Sequence, residues 1–121
     1  MPKRILIADD SGSVRSVLRS FLEKAPNIEV CAEASDGLQT LEEAEKCKPD
    51  LVVLDLSMPK MNGAEVASIL KKRMPHIKII LFTMYSQSIG QSLTSALGVD
   101  AVLSKPNGMI QLVDCVRTLL A

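Results

Sequence analysis

Five side chains in this sequence have the chemistry to handle a highly charged anion. They are the adjacent carboxylates of Asp9 and Asp10, the carboxylate of Asp55, the hydroxyl of Thr83 and the ammonium of Lys105. They are far apart along the chain, so only a fold could gather them. Two carboxylates about 4 Å apart repel by roughly 4 kcal/mol at an effective dielectric near 20. A gathered cluster must therefore take up protons or hold a cation. All-oxygen ligands with open positions suit Mg²⁺ or Mn²⁺ better than zinc. A divalent ion beside Asp55, with a hydroxyl and an ammonium nearby, makes a site for a phosphoryl group, whose transfer needs mainly positioning and charge stabilisation. An ionised aspartate needs no general base to act as nucleophile and become an aspartyl phosphate.

Taken singly, each residue has an ordinary use. Asp55 could end a strand in a turn, Asp9 and Asp10 could cap a helix, and Thr83 and Lys105 could be surface residues. The chemical reading depends on where the surrounding elements put them. Leu51-Val52-Val53-Leu54 is a short continuous apolar run, the pattern of a strand buried on both faces of a parallel sheet. It leads into Asp55, and Pro59-Lys60-Met61-Asn62-Gly63 supplies turn chemistry after it. Arg4-Ile5-Leu6-Ile7-Ala8 reads as a first strand that ends at Asp9-Asp10. Ile77 to Phe82 reads as a fourth strand ended by Thr83, and Ala101 to Ser104 as a fifth that runs into Lys105-Pro106.

The remaining elements fall between these. Ser11-Gly12-Ser13 precedes a helix with Val14, Val17, Leu18, Phe21, Leu22 and Ala25 at helical spacing. Ile28, Val30, Ala32 and Ala34 alternate with polar residues, the mark of a half-exposed second strand at a sheet edge. Asp36-Gly37 opens a helix expected to turn Leu38, Leu41, Ala44 and Cys47 inward, and Asn62-Gly63 opens another with Val66, Ala67 and Leu70 inward. Lys71-Lys72-Arg73 complements the C-terminal dipole of that helix and is not a nucleic-acid patch. A weak helix rich in Ser and Gln is expected from about 86 to 97, closed by Gly98. A last helix carries Ile110, Leu112, Val113, Val116, Leu119 and Leu120. Strands and helices thus alternate five times with short connections. The expectation is an α/β fold, a flavodoxin-like, doubly wound (βα)5 domain over residues 1–121, with a five-stranded parallel sheet in order 2-1-3-4-5. In such a sheet all strand C-termini lie along one edge, where Asp9, Asp10, Asp55, Thr83 and Lys105 would meet.

Composition excludes several alternatives. Of 121 residues, 47% are hydrophobic and 23% charged, which is the range of a folded globular domain. Formal net charge is zero, so nothing draws the domain directly to nucleic acid. No apolar run approaches the roughly 20 residues of a membrane span, and Asp9-Asp10 interrupts any leader-like start. Cys31, Cys47 and Cys115 are odd in number and widely spaced, which suggests free thiols in a reducing cytoplasm and no metal or redox motif.

With these residues in place, the sequence resembles the receiver domain of bacterial two-component response regulators over its whole length. The matching stretches are Ile5-Leu6-Ile7-Ala8-Asp9-Asp10, Leu54-Asp55-Leu56-Ser57-Met58-Pro59-Lys60-Met61-Asn62-Gly63, Thr83 and Lys105-Pro106. The resemblance implies a phosphoacceptor signalling domain, not an enzyme, with Asp55 taking a phosphoryl group from the phosphohistidine of a sensor histidine kinase or from a small phosphodonor. It implies Mg²⁺ (or Mn²⁺) held by Asp10, Asp55, the backbone carbonyl of Ser57 and, through water, Asp9. Thr83 and Lys105 would bind phosphate oxygens, and a cis bond would precede Pro106. A homodimer on phosphorylation and a C-terminal DNA-binding domain absent from this chain are the partners it suggests. There are two departures: Val102 stands where the family often has Tyr or Phe, and Met84 stands where it often has a small residue.

Other readings fit less well. A hydrolase of the haloacid dehalogenase type would need a second aspartate where Ser57 stands. A flavodoxin-like electron carrier would need a Gly/Ser/Thr-rich phosphate loop and stacking aromatics, and aromatic residues are only 2% of the chain. A receiver-shaped module that is never phosphorylated would not need the full acidic set.

Overall fold

The structure is a computed structural model that describes residues 2–83 and 98–120, with the backbone alone over 105–110. The helix expected at 86–97 and the residue Met84 lie outside the described residues. The strands are β1 (Lys3–Ala8), β2 (Ile28–Ala34), β3 (Leu51–Leu54), β4 (Lys78–Thr83) and β5 (Ala101–Ser104). The described helices are α1 (Gly12–Glu23), α2 (Gly37–Cys47), α3 (Gly63–Arg73) and α4 (Lys105–Leu120). All pairings are parallel and the order is β2-β1-β3-β4-β5, as expected.

The sheet has a core on each face, and successive residues of the central strands alternate between them. Leu6, Ala8, Val52, Leu54, Ile79 and Leu81 pack with Leu41 and Ala44 of α2 and Val66, Ala67 and Leu70 of α3. Ile5, Ile7, Leu51, Val53, Ile80 and Phe82 pack with Leu18 and Leu22 of α1 and Leu112 and Val116 of α4. This double coverage explains why the central strands are continuous apolar runs.

Helices α1, α2 and α3 begin soon after their strands on polar caps. Ser11 Oγ accepts from the Val14 amide at 3.3 Å, Asp36 Oδ1 from the Gln39 amide at 2.8 Å, and Asn62 Oδ1 from the Glu65 amide at 3.0 Å. These caps start the helices close to the strand C-termini and keep the connections short.

Three local expectations are corrected. β2 is the edge strand, but its apolar residues do not share one face. Ile5 pairs with Val30 and Leu6 with Ala32, so Cys31 is an extra, bulged residue. The bulge reverses the alternation: Ile28 and Val30 pack on the α1/α4 side, while Ala32 and Ala34 pack on the α2/α3 side. In α2 the inward stripe is Gly37, Thr40, Leu41 and Ala44, and Leu38 is exposed. Thr40 can be buried because its hydroxyl donates to the Asp36 carbonyl at 2.7 Å. In α1 only Leu18 and Leu22 are fully buried, and Val17 and Phe21 stay exposed at the stripe's margin. Among the described residues no helix is long and apolar enough to cross a membrane.

Candidate functional site

The carboxylates converge. Asp9 and Asp10 follow the last residue of β1, and Asp55 follows the last residue of β3. Ala8 is paired with Leu54, so the two strand exits lie side by side. The Asp55 amide donates to the Ala8 carbonyl at 2.9 Å and carries the parallel ladder one residue beyond the strand. A carboxylate oxygen from each of Asp9, Asp10 and Asp55 lies within 4.8 Å of the others. Asp9 and Asp55 are buried (1% and 4% exposed), while Asp10 faces solvent. Two buried carboxylates and a third on the open side carry a high local negative charge, the condition that favours a hard cation.

Local hydrogen bonds hold the two loops. The Ser11 amide donates to Asp9 Oδ1 at 2.9 Å, and Arg15 donates from its guanidinium to the Asp9 carbonyl at 2.7 Å. Arg15 also pairs with Glu33 of β2 at 3.1 Å, which ties α1 to the edge strand. After β3 the Ser57 amide lies 3.4 Å from Asp55 Oδ1, and the Gly63 amide donates to the Leu56 carbonyl at 2.7 Å. Lys60 turns the loop with a φ of 69° and pairs with Asp36 at 3.5 Å. That contact and the Gln39 amide, the larger cause, hold the Asp36 carboxyl below its usual range.

Thr83 is the last residue of β4 and fully buried. It pairs with Ser104, so Lys105 follows directly on the neighbouring strand and opens α4. Thr83 and the Lys105 backbone therefore lie on the same edge as the carboxylates; the Lys105 side chain lies outside the described residues. No cis peptide bond is seen among the described residues, and Lys105 and Pro106 are the first residues of a helix. Val102 is half-buried and packs against the α2/α3 core.

Two glycines shape the site without any chemistry of their own, and sequence reasoning gave them only a turn or helix-start role. A Cβ on Gly63 would collide with the Asp55 carbonyl oxygen and come within 2.8 Å of Leu56 Cα. A Cβ on Gly37 would collide with the Met61 carbonyl and lie 2.5 Å from Met61 Cβ. Helices α2 and α3 thus pack their first residues against the loop that carries Asp55. The signal was visible as Asp36-Gly37 and Asn62-Gly63, but the close approach is tertiary. A cavity of about 590 Å³ opens at the opposite edge, among Lys3, Asp50, His76 and Lys78. It lies where the strands begin and gathers none of the residues above, so charge chemistry, not concavity, marks the site.

Residues 5–117 match the family model of the response regulator receiver domain. The chain belongs to the response regulator receiver family. It is a phospho-receiver of two-component signal transduction. The receiver domain is 35% identical over 111 residues to a protein-glutamate methylesterase/protein-glutamine glutaminase of Pyrococcus abyssi, covering 90% of this chain and 30% of that protein. It is 33% identical over 119 residues to the response regulator protein VraR of Staphylococcus saprophyticus, covering 97% of this chain and 56% of that one. The solved receiver domain of AraT, a response regulator from Geobacillus stearothermophilus, superposes with a TM-score of 0.87 at 32% identity, over 98% of this chain and 93% of that one. The chain spans about a third to a half of these curated relatives, and the methylesterase activity belongs to proteins matched over less than a third of their length.

Proposed function

We propose that Asp55 is the phosphoacceptor and that Asp9, Asp10, Asp55 and the backbone carbonyl of Ser57 hold a Mg²⁺ (or Mn²⁺) ion. The observation that carries this reading is the cluster of three carboxylates within 4.8 Å, two of them buried, at the exits of adjacent strands. Its donors are all hard oxygens, which fit that ion and disfavour zinc. When bound, the ion supplies positive charge that offsets the carboxylates and the incoming phosphoryl oxygens.

The chain's own residues do the rest. A carboxylate oxygen of Asp55 attacks phosphorus, an O–P bond forms, and the P–N bond of a phosphohistidine breaks as imidazole leaves. The same attack on acetyl phosphate expels acetate. Thr83, fixed at the end of β4, offers its hydroxyl to a phosphoryl oxygen. Lys105, next in line after β5, offers its ammonium to another. Burial of Asp55 in a fixed loop orients the nucleophile before the donor arrives. The donor in the cell is a sensor histidine kinase or a small phosphodonor, and the chain receives the group in the cytoplasm. The output is a change in residues 84–97, which lie outside the described residues, and at β5 and α4, used for self-association or for an effector region such as a DNA-binding domain. The share of VraR that this chain leaves unmatched supports such a region.

The test is incubation with acetyl phosphate, with and without Mg²⁺, read by intact mass. One added phosphoryl group is expected only with the divalent ion, and none in Asp55→Asn. If Asp55→Asn labels like wild type, the acceptor lies elsewhere.

A further inference from the structure

Cys31 and Cys47 are 16 residues apart in sequence and resemble no redox motif, yet their Sγ atoms lie 2.7 Å from each other. That is well inside the ordinary separation of unbonded sulfurs and only about two-thirds of an ångström beyond a disulfide bond of roughly 2.05 Å. Two tertiary features bring them together. The bulge in β2 leaves Cys31 as the extra residue of the edge strand. Cys47 is the last residue of α2, which packs on the same side of the sheet. Both are only partly buried, so a small oxidant can reach them. Cys115 belongs to α4 and packs with the core on the other face, where it can join neither.

We propose that Cys31 and Cys47 form a reversible redox site, a dithiol that a hydroperoxide converts to an intramolecular disulfide linking the end of α2 to the edge strand. Burial, and hydrogen bonding with Cys31 after it, push the Cys47 thiol up to about 12. The contact is the same from either side, so either sulfur can be the first to attack. One cysteine, as its thiolate, takes the distal peroxide oxygen, the O–O bond breaks, and an alcohol or water leaves with the proton. The other sulfur then attacks the sulfenic sulfur, the S–S bond forms, and the sulfenic oxygen departs as water with the second thiol's proton. The two thiols lose two electrons and the peroxide gains them. A dithiol reductant reverses the change by exchange. The bridge matters to the rest of the domain because the other end of α2 braces the Asp55 loop, with the Gly37 amide donating to the Pro59 carbonyl at 3.3 Å.

The experiment treats the folded, reduced chain with hydrogen peroxide and reads intact mass, free-thiol count and peptide linkage. The expected product is a monomer about 2 Da lighter with one remaining thiol. It contains a single crosslinked peptide pair joining residues 31 and 47, and dithiothreitol restores it. Cys115→Ser should give the same loss, and Cys31→Ser and Cys47→Ser should each abolish it. In urea the pairing should lose its preference and spread over all three cysteines. The oxidised form should melt higher, by something on the order of 10 °C for a loop of this length. The proposal fails if the folded chain gains oxygen atoms and keeps no crosslink, if the bridge involves Cys115, or if oxidation lowers the melting point. None of these outcomes depends on phosphorylation of Asp55, so they stand apart from the test of that function.

Discussion

Gly63→Ala is the sharpest probe of how the fold holds the acceptor, because Gly12 provides a matched control. Both glycines are the first residue of a helix, behind a polar cap. The change to alanine therefore alters intrinsic helix preference equally, by at most about 1 kcal/mol in favour of alanine. Their surroundings differ. At Gly12 the new methyl would meet only the guanidinium end of Arg15 at 3.4 Å, a side chain that can move. At Gly63 it would collide with the Asp55 carbonyl oxygen, with Leu56 Cα at 2.8 Å and the Asp55 carbonyl carbon at 3.0 Å. These are backbone atoms, and no rotamer change relieves them. Overpacking of this kind costs about 1–3 kcal/mol, which exceeds the helix gain. Gly63→Ala should thus be less stable than Gly12→Ala by about 1–3 kcal/mol. For a chain of this size that is a melting difference of roughly 4–12 °C. The displaced atoms belong to Asp55 itself, so the rate of labelling by acetyl phosphate should fall as well. Urea and thermal unfolding of both variants, followed by timed intact-mass labelling, measure the two effects. If Gly63→Ala matches Gly12→Ala in stability and labels at the wild-type rate, the close approach does not position Asp55.

Other consequences can be checked separately. Asp100 accepts from Lys71 Nζ at 3.1 Å and from the Ile79 amide at 2.8 Å, both partly buried, so Asp100→Ala should cost about 1.5–3 kcal/mol in urea unfolding; a loss under half a kilocalorie, on the order of surface noise, would mean the pair is merely superficial. The Cys47 thiol, raised in the folded state to about 12 from an ordinary value of 9.0, stabilises the fold fully below that ordinary value. This contribution is lost as pH rises toward 12, so under reducing conditions wild type should lose stability faster than Cys47→Ser above about pH 9, and parallel curves would contradict it. Lys105→Ala should still accept phosphate at Asp55 but fail to pass the signal on, as read by phosphorylation-dependent self-association; unchanged association would remove Lys105 from the switch. With Val102 in place of an aromatic ring, hydrogen exchange on adding a beryllofluoride phosphate mimic should change most at residues 84–97, and a response confined to 56–62 would refute that route.

Much of this domain can be read from short-range pattern. A strand buried on both faces has to be a continuous apolar run, so Leu51-Val52-Val53-Leu54 and Ile5-Leu6-Ile7-Ala8 announced themselves. Once five strands alternate with helices, parallel pairing puts every strand exit on one edge, and the carboxylates at those exits meet there. The caps at Ser11, Asp36 and Asn62 are equally local, since each satisfies an amide three residues away.

What the sequence left open depends on contacts between residues with no fixed separation along the chain. Whether Ile28 and Ala34 share a face is decided by the pairing register with β1, and the bulge at Cys31 makes the answer no. Thr40 replaced Leu38 on the buried face of α2 because a hydroxyl can satisfy itself on its own helix, which a hydrophobic count does not see. Gly63 reads as a helix start in sequence, while its contact with the Asp55 carbonyl exists only once α3 has docked. Cys31 and Cys47 looked like scattered thiols until a strand irregularity and a helix end put their sulfurs side by side. The sequence by itself determined which residues end each strand and cap each helix, because those are contests within a few neighbouring residues. Only the tertiary structure decided which side chains touch across elements, because that is fixed by register and by the close packing of one element on the next.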